Sequence, residues 1–338
     1  MTHPFLSTRR WALTAAVAAL ATPIACTWAQ APAAFPTKPV VVYTAFAVGS
    51  GPDAVLRLVA HKLSQQWKQS VTVDNRPGGG GFIAIEAARR AAPDGHTLLQ
   101  LDSEHLGALP HLYAKRNFQT LQVFLLQFFY PVAPLFRTPF LIAVPTQSTW
   151  KNVGDLITAA KKGPGQVSYG SWGVGSPGHL GGEWLDLVAG TQMTHVPYRE
   201  VSQLFTSVAN GDPAWSMASI PSSQGIYKAG KLRYLAVAGP RRIPQMPDVP
   251  TMAEAGGPAQ IDVNSFVSLL APKGVPAAVR SQIHADVLKV LQEPEVREKF
   301  QTFAFEPLSW PVEEIQKQAA IKSEQYKLLI QKANISLD

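Results

Sequence analysis

From Pro39 onward the hydrophobic positions alternate between unbroken β-branched runs and helical spacing. Val40-Val41-Val42-Tyr43-Thr44-Ala45-Phe46 predicts a strand buried on both faces, and Gly49-Ser50-Gly51-Pro52-Asp53 breaks it. Val55, Leu58, Val59 and Leu63 then recur at helical intervals over 54–67. Val71-Thr72-Val73 predicts a short strand, Pro77–Gly81 a glycine-rich turn, 83–91 a helix and 97–101 a strand. The rhythm restarts after Phe136. Strands at 140–144, 167–169, 193–196 and 232–237 alternate with helices at 153–161, 180–189 and 201–210. A proline- and glycine-rich loop, 240–258, precedes a strand at 265–271 and helices at 278–291 and 312–333. Such alternation predicts an α/β fold of two Rossmann-like lobes, with parallel sheets covered by helices. The C-terminal part is too short for a third domain, and a discontinuous first domain absorbs it.

The N-terminus adds an address. Met1–Arg10 ends in Arg9-Arg10, Trp11–Ile24 is apolar and uncharged, and Ala29-Gln30-Ala31 offers small residues for cleavage. That order predicts a secretory signal peptide over 1–31, cut near Ala31, and a periplasmic mature protein. The apolar run is too short for a membrane span, which takes ~20 apolar residues. Thr8–Leu13 also loosely matches a twin-arginine signal, so the export route stays open. The sole cysteine, Cys26, falls inside this leader. No disulfide, cysteine nucleophile or thiolate metal site is therefore expected after cleavage.

Composition narrows the partners. Charged residues make up 16% and hydrophobic ones 46% of the chain, as in a well-packed globular protein. The net charge of +7 falls to +5 once the leader's two arginines are removed. Lys161-Lys162 and Arg241-Arg242 are isolated doublets, so the basic balance suits small anions and excludes a nucleic-acid grip. No second apolar run reaches spanning length, and a soluble monomer is expected.

Two loops can carry chemistry. Gly49-Ser50-Gly51-Pro52-Asp53-Ala54 and Gly173-Val174-Gly175-Ser176-Pro177-Gly178 each follow a predicted strand and open a predicted helix. Glycine permits close backbone approach, and a helix start presents unpaired N–H groups at the positive end of the macrodipole. Such a loop receives a carboxylate or phosphate without a charged side chain. Ser50, Ser171 and Ser176 can add hydroxyl donors. Either loop alone is equally compatible with a plain βα turn. Gly49-x-Gly51-x-x-Ala54 also fits the dinucleotide fingerprint, with Asp74 placed ~20 residues on as the ribose acid. That nucleotide-dependent oxidoreductase reading conflicts with export, and Asp74 runs into a turn at Asn75-Arg76-Pro77-Gly78. No G-x-S-x-G elbow, P-loop lysine or H-E-x-x-H motif is present, so no catalytic set, metal or cofactor is expected. His179 and Glu183, four apart, read as a structural contact. His105 and His111 sit in a loop-rich stretch. Trp172, inside a glycine loop, is hard to bury and reads as a pocket wall.

Val71–Gly81, Ala92–Leu99, Tyr169–Ser176 and His195–Tyr198 together resemble motifs of the Bug/TctC family of extracytoplasmic solute receptors. Val71–Gly81 is similar to its "VVENRPGAGG", and Ala92–Leu99 to its "PDGYTLL". Tyr169–Ser176 with His179-Leu180 is similar to "YGSxGxGSxxHL", and His195–Tyr198 to "HVPYKG". Gly230–Arg233, Met246–Thr251 and Ala271–Pro276 continue the series in order to the C-terminus.

The resemblance implies a type II periplasmic binding protein with a hinge and an interlobe ligand cleft. It implies chain crossings near Arg137 and Thr251, and so domains of 32–136 plus 251–338 and of 137–250. It implies a small organic carboxylate as ligand, and the permease subunits of a tripartite tricarboxylate transporter as partner. The ligand clamp would comprise Phe46, Gly49, Ser50, Gly51 and Asp53 with Ser171, Trp172, Gly173, Gly175 and Ser176. Three departures matter. Ser50 replaces a glycine of "PFxxGG", Tyr198-Arg199-Glu200 replaces "YKG", and Met217-Ala218-Ser219-Ile220-Pro221-Ser222 replaces "FDNLPS". Arg199 and Ser219 thereby become candidates for a second carboxylate, and Tyr198 is a further candidate ligand-binding residue. Loss of the aspartate–asparagine pair disfavours an amino group and points to an apolar-bodied dicarboxylate such as terephthalate.

Overall fold

A computed structural model describes residues 35–113 and 127–337, and the leader predicted over 1–31 lies outside them. The first sheet begins with β1 (Val40–Thr44), in which Val40 and Val42 are buried. Ser50 caps α1 (Gly51–Trp67), Pro52 sits in its first turn, and Lys68 ends it in the left-handed region at φ +53°. Val55, Leu56, Val59 and Leu63 of α1 enter the core. Each such side chain contributes roughly 1.5–3 kcal/mol by leaving water. Next come β2 (Val71–Asn75), α2 (Phe82–Arg89), β3 (Thr97–Asp102), the short α3 (Ser103–Gly107) and α4 (Leu109–Leu112), and β4 (Phe129–Pro139).

Phe140 alone separates β4 from β5 (Leu141–Pro145), where the second sheet begins. Then follow α5 (Val153–Lys162), β6 (Ser168–Ser171), α6 (Pro177–Ala189), β7 (Thr194–Pro197) and α7 (Val201–Ala209). β8 (Trp215–Ala218), α8 (Ile220–Lys228) and β9 (Leu232–Val237) complete that sheet's run. The chain returns through 238–263 to β10 (Asn264–Pro272), α9 (Ala277–Val290), α10 (Pro294–Phe303), β11 (Glu306–Pro307) and α11 (Val312–Lys332).

The sheets run β11-β4-β10-β3-β1-β2 and β7-β6-β8-β5-β9. Both are mixed, where the sequence alternation predicts parallel ones. β1 lies parallel to β2 and β3, and β6 parallel to β7 and β8. The strands that carry the chain between sheets, β4, β10, β5 and β9, pair antiparallel because the outgoing chain (β4 into β5) and the returning chain (β9 to β10) cross in opposite senses. Asn264 pairs with Pro139, which puts the two crossings side by side. Helices cover both faces. Val59 and Val287 pack on one face of the first sheet and Ile85 and Ile330 on the other. Leu156 and Leu185 cover one face of the second sheet, Leu204 and Ile220 its opposite face. Among the described residues, no helix is long and apolar enough to cross a membrane.

Candidate ligand site

The first glycine loop is braced from below by Asp53. This carboxylate is 2% exposed and accepts from the Gly49 amide (2.8 Å), Asn75 Nδ2 (2.7 Å) and Arg57 Nε (3.1 Å). Asn75 Nδ2 also donates to the Phe46 carbonyl at 3.0 Å, and the Phe46 amide donates to Thr44 Oγ1 at 3.2 Å. Asp53 is therefore turned into the protein and shapes the loop. Gly49 holds φ +79°, a backbone conformation that glycine adopts without strain. The Phe46 ring lies edge-on to His105, 6.1 Å between centroids. Burial penalises charge on His105, but the Asp102 carboxylate at 2.5 Å outweighs it and raises the imidazole's pKa.

The second loop rests on a pair of imidazoles. The rings of His179 and His195 stack at 3.9 Å. The Gly175 amide donates to His179 Nδ1 at 3.1 Å, so Nε2 carries the proton and faces Glu183 Oε1 at 3.6 Å. His195 Nε2 shares a 2.7 Å hydrogen bond with the buried Ser171 hydroxyl. Burial, then the neighbouring His179, push His195 down to about 4, so it is neutral at pH 7. Burial raises Tyr169 as well, and its phenol donates to Glu183 at 2.6 Å. The His179–Glu183 contact predicted by spacing is present within this network. The network itself escapes sequence reading, because His195 arrives from β7.

Three helices start at the boundary between the sheets' lobes: α1 behind Ser50, α6 behind Ser176 and α8 behind Ser219. A Cβ added at Gly51 would meet Pro221 of α8 and Phe305, both at 2.9 Å. One added at Gly175 would meet Leu112 Cδ1 of α4 at 2.5 Å. Each loop thus reaches residues of the opposite lobe. Among the described residues, no protein group accepts from the amides of Val48, Gly51 or Val174. Val48 is 72% exposed at the first loop's tip, and Val174 36% at the second's.

The serine hydroxyls behave differently from expectation. Ser171 and Ser176 both donate to the Gly173 carbonyl, at 3.0 and 2.7 Å, and Ser50 receives the Asp53 amide at 3.4 Å. Ser219 joins Ser222 in a capping box. Ser171 and Ser176 thus spend their protons on the second loop's own carbonyl, whereas Ser50 only accepts and keeps its O–H as a donor beside the backbone amides of the first loop. Trp172 is half-buried, stacked on Phe140 at 5.8 Å and pressed against Gly178. The Tyr198 phenol donates to the Asp212 carbonyl at 3.2 Å, and Arg199 is exposed. Asp74, the would-be ribose acid, is held by Arg76 at 2.9 Å. His105 and His111, assigned to loops, lie on α3 and α4. Among the described residues, no group of three or more His, Cys, Asp or Glu side chains could hold a metal ion.

Residues 55–335 match the model of the tripartite tricarboxylate transporter family receptor. The chain belongs to this receptor family. The receptor is 33% identical to the "UPF0065 protein in tcbD-tcbE intergenic region" of Pseudomonas sp. (strain P51), over 83% of this chain and 82% of that one. A solved structure described as a periplasmic transporter superposes with a TM-score of 0.80 at 32% identity, covering 90% of the receptor and all of its own chain. An R. palustris protein solved with adipate reaches a TM-score of 0.81 at 27% identity, over 89% and 99% of the two chains.

Proposed function

We propose that this receptor captures a small organic carboxylate between its two lobes in the periplasm and hands it to the permease subunits of a tripartite tricarboxylate transporter, without catalysing a reaction. The observation that carries this reading is the pair of glycine loops. Each opens a helix of at least thirteen residues, presents an amide without a protein acceptor, and touches the opposite lobe. A carboxylate that meets amides from both loops favours the closed arrangement, because it binds that state better. The bodies that close are 32–136 with 251–338 on one side and 137–250 on the other.

The ligand class is a dicarboxylate with an apolar body, terephthalate or a chain like the adipate held by the R. palustris relative. Val48 and Val174 give both loop tips an apolar surface. Ala218-Ser219-Ile220 supplies no charge that would hold an amino group. The dinucleotide alternative fits less well, since Arg76 already occupies Asp74 and Gly51 is wedged against Pro221 and Phe305. Titration calorimetry against aliphatic and aromatic mono- and dicarboxylates, citrate, amino acids and NAD(H) tests the assignment. The tightest binding is expected from a dicarboxylate. Preference for an amino acid, citrate or NAD(H) would overturn it.

A further inference from the structure

A cavity of about 470 Å³ is lined by no residue of either glycine loop. It is bounded by β11, the segment after β9 and the two crossings. In sheet order β11 lies beyond β4 from β1, and β9 lies beyond β5 from β6. The cavity therefore sits on the far side of the hinge from the strands that carry the loops. Phe305 is the partition, since it lines the cavity and also abuts Gly51.

Four arginines face this space, against two carboxylates, Asp262 and Glu306. Glu306 Oε2 accepts from Arg137 at 2.8 and 3.0 Å and lies 3.7 Å from Arg241. One carboxylate thus serves two guanidiniums. Arg242 is paired outside the cavity with Glu254 at 3.0 Å. Arg297 donates to the neutral Gln292 at 2.7 Å and, among the described residues, forms no salt bridge. Arg297 belongs to the first lobe's α10, Arg137 to β4 at the crossing itself, and Arg241 to the segment leaving the second sheet. The positive excess therefore straddles the hinge. Phe300 and Phe305, both buried, give the space an apolar floor beneath the exposed arginines.

We propose that this hinge cavity is a second anion site, which takes a small polyvalent oxyanion between Arg241 and Arg297. Guanidiniums recognise phosphate and carboxylate alike through paired N–H donors, so both chemistries fit. The test is calorimetric titration of inorganic phosphate, and separately of citrate, into the full chain at low ionic strength, where such contacts are least screened. At least one probe is expected to bind saturably. Arg241→Gln is expected to weaken that binding about three-fold and Arg241→Gln/Arg297→Gln at least about ten-fold. Arg241 is 72% exposed, so its single substitution reports binding without endangering the fold. Comparison of the probes shows whether phosphate or carboxylate is preferred. No saturable binding of either, or binding that both variants keep in full, would overturn the proposal.

Discussion

The imidazole of His179 lies flat against that of His195, 3.9 Å between ring centroids, and its Nδ1 accepts the amide of Gly175 in the second glycine loop. Burial, and then the stacked His179 ring, disfavour a positive charge on His195, which is why it stays neutral down to about pH 4. Its folded pKa is below the unfolded value near 6.5, so this stabilisation is complete above pH 6.5 and is lost as pH falls toward 4. Partial exposure trims the contribution to about 2–3 kcal/mol. Urea unfolding at pH 7 and pH 4.5 should show wild type losing more stability on acidification than His195→Gln. Equal losses would place the pH sensitivity elsewhere.

Gly175 and Gly190 separate backbone strain from interlobe contact. Both hold positive φ, +81° and +64°, yet only at Gly175 would a Cβ strike another lobe's side chain, Leu112. Each alanine substitution costs about 1 kcal/mol or more in strain. Gly175→Ala should also lower ligand affinity by about ten-fold or more. Gly190→Ala should leave affinity unchanged, as measured by calorimetry at one temperature.

Asp53 organises the first loop through three protein donors. Asp53→Ala removes the acceptor of the Gly49 amide, of Arg57 Nε and of one Asn75 Nδ2 proton, at an expected cost of about 2–3 kcal/mol in urea unfolding. Ligand affinity should fall with it because the loop's amides lose their aim. A stable variant with full affinity would show that the loop is held by other contacts.

Local signals made the two loops legible. Glycine, serine and proline punctuate the strand–helix junctions at 49–52 and 173–177, and short-range sterics act there regardless of the rest of the chain. β4 was hidden for the opposite reason. Its Pro131, Pro134 and Pro139 lack the donor that a central strand needs. The sheet accommodates them with register shifts between Val267 and Ser268 and between Leu269 and Leu270. The mixed character of the sheets was equally invisible, because which outgoing and returning strands lie side by side is set by tertiary packing. At the site, the Ser171 and Ser176 hydroxyls assigned to the ligand turned inward, since the Gly173 carbonyl and the His195 imidazole satisfy them first.

A crystal structure with the tightest-binding carboxylate tests the central claim most directly. A carboxylate oxygen is expected at about 3 Å from amides of both loops, from Val48 or Gly51 on one side and Val174 on the other. A ligand held by one loop only, or bound away from both, would contradict it.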